Sequence, residues 1–123
     1  MRYPHWIDGE IVTHATYPQD KVCIAFDMTA VSAFPTESQG HLTLSLGDIS
    51  LTFRHFATHM TLTVGDRTVT VTDPTPPYCR RPMRLVREGD RVTLYRGGIV
   101  LLSLTGAPAA ASVPAPVRIT WKD

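Results

Sequence analysis

Leu42-Thr43-Leu44-Ser45-Leu46-Gly47-Asp48-Ile49-Ser50-Leu51-Thr52-Phe53 is the stretch that decides the fold. On both sides of Gly47-Asp48 the apolar residues occupy every second position, the period of a strand, in which successive side chains point to opposite faces. With Gly47-Asp48 as a two-residue loop, Leu46 lies opposite Ile49, and Leu42, Leu44, Leu46, Ile49, Leu51 and Phe53 share one face. Glycine in the first loop position suits a II′ turn, whose twist matches that of the flanking strands. A slip of one residue would turn the whole apolar set to the other face, so the register is strongly specified.

The same pattern runs outward in both directions. Met60, Leu62 and Val64 lead through Gly65-Asp66 to Val69 and Val71, with Thr68, Thr70 and Thr72 turned outward. A third hairpin joins Met83 and Leu85 to Val92 and Leu94, with either Glu88-Gly89 or Gly89-Asp90 as its loop. Upstream, Val22, Ile24, Phe26 and Met28 alternate along residues 22–28. Ile99-Val100-Leu101-Leu102-Ser103-Leu104 is apolar on both faces, which predicts burial on both sides or cover from a neighbouring subunit. Val117-Arg118-Ile119-Thr120-Trp121 reads as a closing strand.

Loops rich in breakers separate these strands at residues 34–40, 73–78 and 106–116. The last is an extended Ala/Pro-rich connector or arm, in which the prolines exclude strand pairing. No helix of more than two turns and no solenoid repeat is legible. A chain of 123 residues fits one hydrophobic core, so the expectation is a single all-β domain over 1–123, an antiparallel jelly-roll-like β-sandwich.

The third hairpin carries more than its alternation. Met83-Arg84-Leu85-Val86-Arg87-Glu88-Gly89-Asp90-Arg91-Val92-Thr93-Leu94-Tyr95-Arg96-Gly97-Gly98 resembles the segment of concanavalin A-like and laminin G-like jelly rolls that crosses the sheet as R-x-G-D-x-V-x-L-Y-x-x-G. The preceding order, an Ala-Phe-Asp-Met strand, a Leu-Ser-Leu-Gly strand and a Thr/Val-rich hairpin, is similar to that group as well, and the resemblance covers residues 22–104. It implies recognition of glycans or protein surfaces, in some members through calcium. The calcium-dependent lectins of the group hold their ion with clustered Asp and Asn, and this sequence contains no Asn, so no metal or other cofactor is expected. The glucanase branch carries its carboxylates in an E-x-D-x-x-E strand that is absent here.

Composition excludes several classes. Hydrophobic residues make up 43% and charged residues 19%, a balance that builds a core and argues against a wholly disordered chain. No apolar run approaches the roughly 18 to 20 residues of a membrane span. The opening Met1-Arg2-Tyr3-Pro4-His5-Trp6 lacks the layout of a secretory signal, so the chain reads as soluble without an export address; its compartment is left open. There is no nucleophile elbow, Walker loop or zincin helix. The acidic residues are scattered, and Asp48, Asp66, Glu88 and Asp90 sit in tight turns where backbone hydrogen bonding and solvation explain them. Glycoside hydrolysis needs two carboxylates across a cleft, so a small glycan-processing enzyme is the minority reading.

Net charge is +1, but it is unevenly spread: residues 80–96 carry +4 and the remainder −3. Arg84, Arg91 and Tyr95 are expected on the outward side of the third hairpin. Together with Arg87 and Arg96 they form a candidate anion- or glycan-binding face, because guanidinium forks bind carboxylate, sulfate and phosphate while an aromatic stacks on a sugar. The alternative is an ordinary solvated sheet face or an edge protected by charge. Nucleic acid is disfavoured by a net charge near zero and by basic residues confined to one segment.

His55 and His59 flank the passage between two strands and are read as loop histidines; two imidazoles without Cys or carboxylate company make no closed metal site. His5 and Asp8 are weaker candidates still. Cys23 and Cys79 are read as buried thiols in preference to a disulfide. Tyr3, Trp6, Tyr17 and Trp121 are expected to pin the ends of the chain to the core.

The function expected is therefore a non-catalytic recognition or structural module for glycan or protein surfaces. Its alternative is a subunit of a homo-oligomer or larger assembly, such as the coat or decoration protein of a phage particle.

Overall fold

The structure is a computed structural model that describes residues 9–28, 41–54, 59–72, 81–106 and 113–122. Ten strands make up these residues, and no helix occurs among them. They are β1 (Gly9–Tyr17), β2 (Lys21–Met28), β3 (His41–Leu46), β4 (Ile49–Arg54), β5 (His59–Val64), β6 (Arg67–Thr72), β7 (Arg81–Glu88), β8 (Arg91–Arg96), β9 (Ile99–Leu104) and β10 (Ala115–Lys122). Two antiparallel sheets result, one of six strands in the order β1-β10-β3-β4-β5-β6 and one of four in the order β2-β7-β8-β9. The fold is the jelly-roll sandwich expected.

Hairpin registers follow the alternation. Leu46 faces Ile49 and Val64 faces Arg67 across their Gly-Asp loops. The third hairpin takes Gly89-Asp90 as its loop, with Glu88 opposite Arg91. Ile49, Leu51, Met60, Leu62 and Val64, inward residues of β4 and β5, are buried to 1% exposure or less. They pack on Met83, Leu85, Val92, Leu94 and Leu102 of the four-stranded sheet. Phe26 of β2 meets Phe53 of β4 edge to face, with centroids 6.0 Å apart. Each of these side chains contributes roughly 1.5 to 3 kcal/mol of transfer free energy, which makes the core the main source of stability.

Several expectations need correction. Residues 9–17 show no strand alternation in the sequence, yet they form β1, an edge strand whose mostly exposed side chains hide the period. A register irregularity divides it between Val12 and Thr16. There the Val117 amide donates to Thr13 Oγ1 at 3.0 Å and the Thr13 hydroxyl donates to the Ala15 carbonyl at 2.8 Å, so one side chain replaces part of the interrupted ladder. The arm expected over 106–116 yields its last two residues to β10. Pro116 is tolerated because β10 pairs there with Thr16 of β1 alone, and pairing with β3 begins at Val117. β9 is an edge strand and not a doubly buried one: Ile99 and Val100 are 54% and 53% exposed. Cys23 is a free thiol but an exposed one, because its parity on β2 is opposite to that of Val22 and Ile24; Cys79 lies outside the described residues. Trp121 points inward, and its indole lies against Gly9, where a Cβ would collide with the ring. Tyr17 is 37% exposed, and Tyr3 and Trp6 lie outside the described residues.

Candidate functional site

The basic hairpin does not form one face. Arg84 and Tyr95 are cross-strand partners on the outer side of the four-stranded sheet, and the Arg84 guanidinium carbon sits 4.6 Å from the Tyr95 ring centroid. This cation–π contact occupies the aromatic surface on which a sugar would stack. Arg91 also points outward, but four residues from Tyr95, about 13 Å along the strand, and directly opposite Glu88. Arg87 and Arg96 are corrections to the expected face. Arg87 shares the inward parity of Met83 and Leu85 and is fully buried. Arg96 pairs with inward-facing Met83 and is half-buried. The alternation of residues 83, 85 and 87 already carried this signal, which the charge of Arg87 masked.

Arg87 instead anchors one end of the sandwich. Its Nη1 donates to Asp48 Oδ1 at 2.6 Å and its Nε to the Gly89 carbonyl at 3.1 Å. The bond to Asp48 ties the four-stranded sheet to the β3–β4 turn of the other sheet. Around it, Gly65 N donates to the Asp48 carbonyl at 3.0 Å and Gly89 N to the Asp20 carbonyl at 2.8 Å, linking neighbouring turns. Gln19, 8% exposed, donates through Nε2 to the Val113 carbonyl at 2.5 Å and packs its amide on Gly47. A buried charge with its partner and hydrogen bonds in place is structural.

The outer face of the six-stranded sheet is different in chemistry. Its register sets Thr120, Thr43, Thr52, Thr61 and Thr70 in one row across five strands. A second row holds Arg118, Ser45, Ser50, Thr63 and Thr68. Hydroxyls pair within the rows, Thr43 with Thr52 at 3.0 Å, Thr61 with Thr70 at 3.3 Å and Thr63 with Thr68 at 3.3 Å. Each hydroxyl donates one hydrogen bond and accepts two, so such a pair keeps capacity toward solvent or ligand. A third row reads His41, Arg54, His59 and Thr72. On β3 to β6 every outward position is Ser, Thr, His or Arg. Toward the β1 edge, Arg118 is paired with Glu10.

Sequence reading missed this face. It singled out His59 only as a loop residue beside His55, whereas His59 opens β5 and faces outward; His55 lies outside the described residues, as do His5 and Asp8. In the sequence the hydroxyls are legible only as the outward half of an alternation. What assembles them is the register across five strands, a long-range property.

No protein-family model matches the chain, and no curated protein sequence matches it. Solved structures do match in fold. A Bacillus licheniformis β-glucanase is similar with a TM-score of 0.65 at 10% identity, over 93% of this chain and 57% of the glucanase, so the chain spans little more than half that enzyme's length. The carbohydrate-binding module CBM66 from Bacillus subtilis is similar at 0.59 and 12% identity, over 93% and 76% of the two chains. A toad ovary galectin in complex with thio-digalactose is similar at 0.55 and 11% identity, over 96% and 92%. The fold is thus a jelly roll similar to those of this glucanase, carbohydrate-binding module and galectin.

Proposed function

We propose that this jelly roll is a non-catalytic glycan-recognition module and that its contact surface is the outer face of the six-stranded sheet. The observation that carries the reading is the composition of that face on β3 to β6, hydroxyls and basic groups in register with no apolar or carboxylate side chain among them. Sugar hydroxyls are both donors and acceptors, and a lattice of Ser and Thr hydroxyls satisfies both. A carbohydrate-binding module and a galectin bound to a digalactoside among the fold's relatives support it. A glucanase is also among them, but hydrolysis of a glycosidic bond uses two opposed carboxylates, and among the described residues the proposed face carries Glu10 alone, at its β1 edge and paired with Arg118.

The test is binding of the full chain to an array of oligosaccharides, repeated with Thr52→Val and Thr61→Val combined. Valine keeps the shape and β-propensity of threonine and removes only the hydroxyl, so the fold is retained while binding falls. Absence of binding to every glycan, or binding untouched by the double substitution, rejects the reading.

β9 favours a second reading, a subunit of a larger assembly. Of the four edge strands, β1 carries Glu10, β2 carries Lys21 and Asp27, and β6 carries Arg67, whereas β9 has no charged residue. Charges on an edge strand block pairing with another chain, and β9 lacks that guard while exposing Ile99 and Val100. A mass by light scattering that rises with concentration, and stays monomeric in an Ile99→Lys, Val100→Lys variant, is the outcome this reading requires.

A further inference from the structure

We infer that the glycan recognised is acidic, carrying carboxylate or sulfate groups, and that it is read by a row of basic residues centred on Arg54; this rests on the outer-face reading above. The register pairs Lys122 with His41, His41 with Arg54, and Arg54 with His59. Four basic residues therefore occupy one row on four consecutive strands, β10, β3, β4 and β5. With strands about 4.8 Å apart, the row extends about 14 Å across the sheet.

Residues directly opposite each other on neighbouring strands interact, and opposite charges there are stabilising, yet Arg54 faces a histidine on either side and no carboxylate. Three other arginines have partners: Arg87 has Asp48, Arg118 has Glu10, and Arg84 lies on Tyr95. Arg54 is exposed, and it has no ion pair among the described residues. Nor does any outward position of β3 to β6 hold a carboxylate to neutralise it. An exposed cation held between two histidines, beside two rows of hydroxyls, matches a ligand that supplies the missing negative charge together with hydroxyls of its own.

The chemistry of the match is specific. The guanidinium of Arg54 presents parallel N–H donors that engage a carboxylate or sulfate in two hydrogen bonds. The adjacent row of Thr43, Thr52 and Thr61 takes the ring hydroxyls of the same sugar. A chain laid across the strands meets a basic position at each strand it crosses. Both uronate and sulfate supply the anion, so the probes must separate them.

The experiment is calorimetric titration of the full chain with three oligosaccharides of matched length, one built on uronic acid, one sulfated and one neutral, and with a single-stranded DNA oligonucleotide. It is run on the unsubstituted protein and on Arg54→Ala, Arg54→Lys and Arg84→Ser. The expected result is binding of one or both acidic oligosaccharides above the neutral one, weakened by salt and weakened at least about tenfold in Arg54→Ala. Arg54→Lys keeps the charge but loses the fork and should fall in between, while Arg84→Ser, on the opposite sheet, should leave affinity unchanged. Preference for the uronate or the sulfated probe identifies the source of the anion. Equal binding of the neutral oligosaccharide, indifferent to Arg54→Ala, overturns the acidic-glycan inference and leaves the glycan reading standing. Failure of all three oligosaccharides overturns both. DNA bound as tightly as the acidic glycans, or a loss confined to Arg84→Ser, overturns the inference by moving the ligand to another class or the site to another face.

Discussion

Gly47→Ala tests the packing of the turns at the Arg87 end of the sandwich. Gly47 has φ of 60°, in the left-handed region, where a Cβ costs roughly 1 to 2 kcal/mol. Alanine also lowers the entropy of the unfolded chain, which offsets part of that and leaves about 1 kcal/mol of net destabilisation. Gly89 is the control, with φ of 62° and nothing within 4 Å of the Cβ an alanine would add. At Gly47 the added Cβ would stand 2.5 Å from Gln19 Cδ and nearer still to Oε1. Gln19 cannot yield cheaply, because it is buried and bonded to the Val113 carbonyl. Displacing it adds roughly 1 to 3 kcal/mol, so Gly47→Ala should cost about 3 kcal/mol against about 1 for Gly89→Ala. Urea unfolding of both variants, with and without Gln19→Ala, makes the comparison. In the Gln19→Ala background the Gly47 penalty should fall to that of Gly89, a coupling of about 2 kcal/mol. Equal costs at the two glycines, or a Gly47 penalty indifferent to Gln19, would refute the reasoning.

Arg87→Ala removes a buried cation from Asp48 and leaves its volume empty, so a loss of roughly 3 to 5 kcal/mol is expected. Arg87→Met, which fills the space without the charge, should cost clearly less, since Asp48 is 27% exposed and water can solvate its carboxylate. Leu62→Ala, in the centre of the core at 0% exposure, should cost about 2 to 5 kcal/mol in the same assay, whereas its exposed neighbour on the same sheet, Arg54→Ala, should stay within about 0.5 kcal/mol.

Local alternation made most of the fold legible. The hairpins from Leu42 to Phe53 and from Met60 to Val71 are specified by period and by Gly-Asp loops, because burial of one face fixes their register. β1 was not legible, for an edge strand with few buried side chains has little apolar alternation to show. Nor was the insertion of β10 between β1 and β3, which depends on contacts a hundred residues apart, such as Arg118 with Glu10 at a separation of 108. Parity placed Arg84 and Tyr95 together correctly but should have turned Arg87 inward, where a partnered guanidinium is tolerated. The row of His41, Arg54 and His59 was invisible, since these residues fall on three strands and only the register between them makes them neighbours.

The position of β10 also sets an order of events during synthesis. β3 to β6 form a continuous meander of short-range hairpins that can assemble as soon as Thr72 has been made. Until β10 is translated, β1 has no neighbour and the flank of β3 is an open ladder of unpaired backbone groups. The nascent chain therefore passes through a period in which its largest sheet is missing an interior member. Loop closure over so long a separation is slow, and in that interval the protein is most exposed to self-association.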